Sequence, residues 1–142
     1  MPDEQWQELS PDECQALLGA SHLGRIALVE DARPLILPVN YVLDDKTVVF
    51  RTDQGTKLDA AVRGAPVAFE VDGVNSERRT GWSVLVRGRA EHVTDRTELE
   101  RLRRLPLVPL APGAKPHYVR IKADEVTGRR ISVANLPSNW WG

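Results

Sequence analysis

Between Phe50 and Lys57 the chain reads FRTDQGTK, a strand-like end, a glycine turn and the start of a helical stretch. Arg51 and Lys57 bring positive charge to this turn and Thr52 and Thr56 bring hydroxyls. Backbone N–H groups at a helix start add donors with a partial positive charge. Together these groups would hold an anion, a phosphate above all. A capped helix with solvated charges explains the same residues, and the stretch is no P-loop. A second group is Pro38-Val39-Asn40-Tyr41, where an amide and a phenol sit among apolar residues beside a proline that cannot donate to a strand ladder. Such groups would hydrogen-bond the edge of a planar ring. A satisfied bulge at Asn40 and a core role for Tyr41 explain them too. Trp82 and the terminal pair Trp140-Trp141 offer flat rings, for stacking on a planar ligand or for covering a subunit interface.

Other chemistries fail on inventory. His22, His92 and His117 are far apart in sequence and lack the paired spacing of a zinc site, and there is no Cys-x-x-Cys, so no metal is expected. No serine or cysteine triad is indicated. Cys14 falls where a packed apolar group belongs, and no chemistry is assigned to it. No catalytic acid, base or nucleophile stands out, so redox or transfer chemistry would have to be carried by a cofactor.

These residues need elements to position them. Ser10-Pro11-Asp12-Glu13 predicts a helix over 10–19: a hydroxyl at the N-cap, proline at the first helical position, glutamate three after the cap and Gly19 at the end. Leu9 and Cys14 would form its hydrophobic staple. Strands follow at LGRIALV, LILPVNYVL and TVVFRT, an antiparallel meander whose middle strand is marked by Pro38 as an edge, a bulge or a ligand-facing backbone. A short helix from Lys57 to Arg63, capped by Thr56 and stopped by Gly64 and Pro66, leads to the strand PVAFEVD. In the next strand Trp82, Val84, Val86, Gly88 and Ala90 share one face. Thr94-Asp95 caps a third helix with Leu99, Leu102 and Leu105 on one stripe, and Arg101, Arg103 and Arg104 solvate its end. After a proline-rich segment, HYVRIKADEV reads as a strand with Val119, Ile121 and Ala123 inward. Thr127-Gly128 reads as a turn before a last short strand, and a tail covers 132–142.

Six or seven antiparallel strands with short helices and no βαβ alternation make a mainly β domain, closed or nearly closed into a barrel. Its 142 residues suit one domain, 1–142. No apolar run reaches the ~18 residues of a membrane span, and the acidic N-terminus is unlike a secretory signal, so a cytoplasmic protein without a membrane partner is expected. Residues 1–64 carry six basic and eleven acidic side chains, and the remainder thirteen and nine. The basic residues form no block, which argues against nucleic acid.

The runs LGRIALVEDARPLILPVNYVLDDKTVVFRT, GTKLDAAVRGAPVAFEVD and GWSVLVRGRAEHV resemble the pyridoxamine 5′-phosphate oxidase-like family, over most of residues 10 to 131. Within it, the chain is most similar to small actinobacterial and nitroimidazole-resistance-type members. The resemblance implies a Greek-key split β-barrel homodimer that binds FMN, or in some branches a deazaflavin coenzyme, at the subunit interface. It places the phosphate on Arg51, Thr52, Thr56 and Lys57, and lays the strand with Pro38, Val39, Asn40 and Tyr41 along the isoalloxazine. It sets Trp82 at the start of the strand that, in the family, approaches the cofactor from the partner subunit. The C-terminal arginine motif of the true oxidases is missing, which argues against vitamin B6 as substrate. Three activities follow as expectations: an FMN-dependent oxidoreductase acting on an unknown small molecule, a deazaflavin reductase whose groove would draw on Arg63, Arg78, Arg79 and Arg87, or a non-catalytic module that binds flavin or haem.

Overall fold

The computed structural model describes residues 6–108 and 115–132. Trp140 and Trp141, with nearly all of the expected tail, lie outside these. The chain opens with strand β1 (Trp6–Glu8) and helix α1 (Pro11–Ala20). The Ser10 hydroxyl accepts from the Glu13 N–H, and the Glu13 carboxylate accepts from the Ser10 N–H, so the capping box forms as the sequence predicts. The helix passes through Gly19 to Ala20, where the Ser21 N–H caps the Leu18 carbonyl. Leu9 and Cys14 are both buried against Gly128, where a Cβ would come within 2.7 Å of the Cys14 Sγ.

Seven further strands follow: β2 (Leu23–Glu30), β3 (Arg33–Asn40), β4 (Val42–Asp44), β5 (Thr47–Thr52), β6 (Pro66–Asn75), β7 (Thr80–Val93) and β8 (His117–Ser132). Helix α2 (Thr56–Val62) follows β5, and α3 (Arg96–Leu102) follows β7. Every pairing is antiparallel, in the order β3-β2-β6-β7-β8-β5-β4, with β1 added to β8. Strands β3 and β4 end this order at opposite sides, yet Tyr41 alone separates them in sequence. The sheet therefore curls until its two edges are one residue apart, which makes the split barrel.

The expected single strand over 35–43 is thus two, and Tyr41 is the corner. Its N–H bonds the His22 carbonyl, its hydroxyl donates to the Leu18 carbonyl at 2.6 Å, and its ring meets Phe69 edge-on at 4.9 Å. Burial pushes its phenol up to about 12. Tyr41→Phe should leave the Leu18 carbonyl with the longer Ser21 N–H contact alone and lower stability by about 0.5–1.5 kcal/mol in urea unfolding.

Two other expectations fail at β8. No turn forms at Thr127-Gly128, because the fourteen-residue β7 gives β8 a ladder partner as far as Ser132. Ala123 is exposed where it was expected inward. A bulge opposite Arg87 and Gly88 pairs these residues with Glu125 and Ala123, and the extra residue shifts the alternation of side chains. Val119 and Ile121, ahead of the bulge, do face the core, as do Val84, Val86 and Ala90 of β7.

Phe50, Phe69, Ile26, Val86 and Ile121 fill the barrel. A second cluster, Val49, Val93, Leu102, Leu107 and Tyr118, lies under α3, and Leu99 and Leu105 pack on it. Asp95 caps α3. Arg101, expected to be solvated, instead clamps Asp44 at 2.5 and 2.8 Å and reaches Glu98 at 2.6 Å, tying α3 to β4.

On the outer face of β2 and β6, Arg25 lies 3.0 Å from Glu70 and 3.3 Å from Asp72. Burial and the neighbouring Asp72 push the Glu70 carboxyl up to about 7, against the pull of Arg25. The folded chain then holds this proton more tightly than the unfolded chain. The group favours folding fully below its ordinary value of 4.5 and loses that contribution as pH rises through about 7. Unfolding free energy should decline over this window, and Glu70→Gln should flatten the decline.

Candidate functional site

Strand β5 ends at Thr52, and the turn after it reaches Gly55 at φ 142°, a backbone region that only glycine enters without strain. Gly55, not Thr56, is the N-cap of α2, and no side chain caps this helix. Thr56 is its first residue, and its hydroxyl donates to the Glu30 carboxylate at the end of β2. That hydroxyl therefore braces the helix against the β2–β3 hairpin. With seven residues α2 has a small dipole, so side-chain cations supply most of the positive charge here.

Those cations come together. The Arg51 Nε donates to the Lys115 carbonyl at 3.0 Å, and its guanidinium lies 5.4 Å from the centre of the Tyr118 ring. The Lys115 ammonium lies 2.9 Å from the Asp53 carboxylate and holds that carboxyl below its ordinary range. Lys57 faces the same pair. Burial lowers its ammonium, Asp53 offsets part of that, and Lys115 lowers it further. Lys115 pairs with Asp53, Lys57 feels the charge of both, and Arg51 joins them through the Lys115 backbone, so β5, α2 and the segment just ahead of β8 each bring a cation to this corner. Sequence reasoning found Arg51 and Lys57 but missed Lys115. Its only signal was a lysine two residues before a strand that had to pair with something, and the β5–β8 ladder is what carries it to Asp53.

Thr52 is 2% exposed, opposite His117 in the ladder, and offers almost no surface to a ligand. Though distant in sequence, His92 and His117 meet edge to face at 5.2 Å, and burial lowers the His92 imidazole. Among the described residues, no group of three or more His, Cys, Asp or Glu could hold a metal.

The Pro38–Tyr41 group divides. Strand β3 is an edge, one of the three settings that Pro38 allowed, and Pro38 is exposed. Val39 points into the barrel. The Asn40 amide donates to the Val108 carbonyl at 2.9 Å. Tyr41 is a core residue with its hydroxyl engaged, so its phenol does not offer itself to a ring edge. The Trp82 indole lies on Gly73 of β6 and packs against the barrel core. Strands β2 and β6 separate β3 from β7, so one chain does not bring Trp82 beside Pro38 and Asn40.

The sequence model of the pyridoxamine 5′-phosphate oxidase family matches residues 10–130. An uncharacterised protein of Mycobacterium tuberculosis is 40% identical over 129 residues, covering 87% of this chain and 84% of its own length. Among solved structures, an FAD-binding protein from Mycobacterium smegmatis is similar with 38% identity and a TM-score of 0.75, over 89% of this chain and 99% of its own. An FAD-binding protein from Mesorhizobium loti gives 28% identity and a TM-score of 0.74, over 89% and 99%.

Proposed function

Because the chain belongs to the pyridoxamine 5′-phosphate oxidase family, we propose that it binds a phosphate-bearing flavin and works as a flavin-dependent oxidoreductase on a small molecule. The observation that carries this reading is the convergence of Arg51, Lys57 and Lys115, a donor set that fits a phosphate. Two ammonium groups and a guanidinium against one carboxylate leave about two positive charges, matching the −1.5 to −2 of a phosphomonoester at neutral pH. Arg51 is braced by the Lys115 carbonyl and the Tyr118 ring, so it meets a phosphate in a fixed orientation. When bound, the flavin supplies hydride or electron transfer, and the chain's task is to hold and orient it and to exclude water.

The ring would lie between two copies of the chain. In support, the outer faces of β2, β3 and β7 expose Val29, Ile36 and Leu85 in turn, with Ile36 64% exposed beside Pro34 and Pro38. Pro38 and Asn40 of one copy and Trp82 of the other would then flank the ring, which one chain alone does not arrange. The sequence expectation is FMN. The two FAD-binding relatives make FAD the competing cofactor.

The test is the visible spectrum of the purified protein, the mass of ligand released by heating, anaerobic reduction with a nicotinamide donor, and sedimentation equilibrium. One flavin per chain, reduced and reoxidised, on a dimer is the expected result. A released deazaflavin would replace the flavin assignment, a bound flavin that resists reduction would mark a storage or sensing module, and failure to bind either would end the proposal.

A further inference from the structure

We propose that Asp53 is an exchangeable counter-ion of the phosphate site: its carboxylate holds Lys115 in place, and a ligand phosphate displaces it and takes over that ammonium. The inference rests on the flavin reading above and adds to it a residue that opposes binding and one that completes the site.

The two partners of this ion pair differ in freedom. The Lys115 side chain is 12% exposed, whereas that of Asp53 is 57% exposed, so across their 2.9 Å contact the lysine is held and the aspartate is free to swing into water. The backbone fixes Lys115 further, since its carbonyl accepts from Arg51. An anion arriving from solvent therefore meets an ammonium that stays and a carboxylate that can leave. Lys57 is attracted by the same carboxylate, so displacement of Asp53 leaves a second cation facing the incoming anion. If Asp53 stayed, its negative charge would sit beside the incoming phosphate, and like charges at this range repel in a way that salt screens. Thr56, the hydroxyl the sequence pointed to, is turned toward Glu30, so Lys115 is the donor that stands in its place.

The experiment compares wild type, Asp53→Asn and Lys115→Met by fluorescence titration with FMN and with riboflavin, which lacks the phosphate, at low and high salt. Asp53→Asn should bind FMN about fivefold more tightly at low salt, with the gain shrinking at high salt and riboflavin affinity unchanged. Lys115→Met should weaken FMN at least tenfold, again sparing riboflavin. Equal or weaker FMN binding by Asp53→Asn, or an equal gain with riboflavin, overturns the exchange, as does FMN affinity that survives Lys115→Met. If wild type binds neither flavin, the flavin reading falls by itself. Calorimetry with inorganic pyrophosphate then decides the exchange alone: tighter binding by Asp53→Asn upholds it, and equal or weaker binding overturns it.

Discussion

Replacement of Gly88 by alanine should destabilise the barrel by about 3 kcal/mol or more and lower Tm by roughly 10 °C, more than an added methyl group ordinarily does. A Cβ at this position would lie 1.9 Å from the Lys122 carbonyl oxygen and 2.8 Å from its carbon. The obstacle is backbone, which no rotamer change relieves. It is also the backbone of the bulge, where β8 changes phase against β7, so relief would require re-registering the longest ladder of the sheet. Gly81 on the same strand is the control. There a Cβ meets only the Gly73 carbonyl oxygen at 3.6 Å, an ordinary contact, so Gly81→Ala should change stability by less than about 1 kcal/mol. Thermal unfolding of the two variants separates a general intolerance of β7 from the specific crowding at Gly88.

Lys57→Ala should weaken FMN binding by about 1.5–3 kcal/mol, roughly ten- to more than a hundredfold. Lys57 is half-buried, and burial already lowers its ammonium pKa, so the side chain carries a charge that is incompletely solvated and gains from an anion. It lies one residue inside α2 and touches the cluster only through charge, so its removal leaves the barrel core intact. Riboflavin affinity and unfolding temperature should therefore be nearly unchanged. Equal losses for FMN and riboflavin would place Lys57 against the ring or in the fold and remove it from the phosphate site.

The parts of this molecule that local chemistry dictates were legible in its sequence. Ser10 and Glu13 cap their helix through bonds three residues apart, and the alternation along β7 reports its buried face directly. Arg51 and Lys57 share one strand–turn–helix, so their spacing alone suggested an anion. What stayed hidden depends on partners distant in sequence. Nothing near Thr127-Gly128 shows that β7 is long enough to keep that segment extended, and nothing near Ala123 reports the bulge opposite Gly88. Lys115 reaches Asp53 only because β8 pairs with β5. The same holds for Arg101, whose partner Asp44 belongs to a strand that exists because Tyr41 turns the chain from one sheet edge to the other. Tyr41 itself was read as a group for a ligand because a phenol in an apolar run suits a binding site and a core equally, until the position of Leu18 decides between them.

The one-residue passage at Tyr41 also governs the order in which the protein can assemble. The β2–β3 and β4–β5 hairpins each form from neighbouring residues and lie on either side of this corner, whereas β5 gains its second partner only when Val48 meets Ile121. Contacts so distant carry the full entropy of loop closure, so completion of the barrel waits for the last strand. During synthesis, β5 and β7 each present an unpaired strand edge until β8 leaves the ribosome. The nascent chain is then at its most prone to pair with a neighbour, and this hazard ends when residues 117–132 zip between the two.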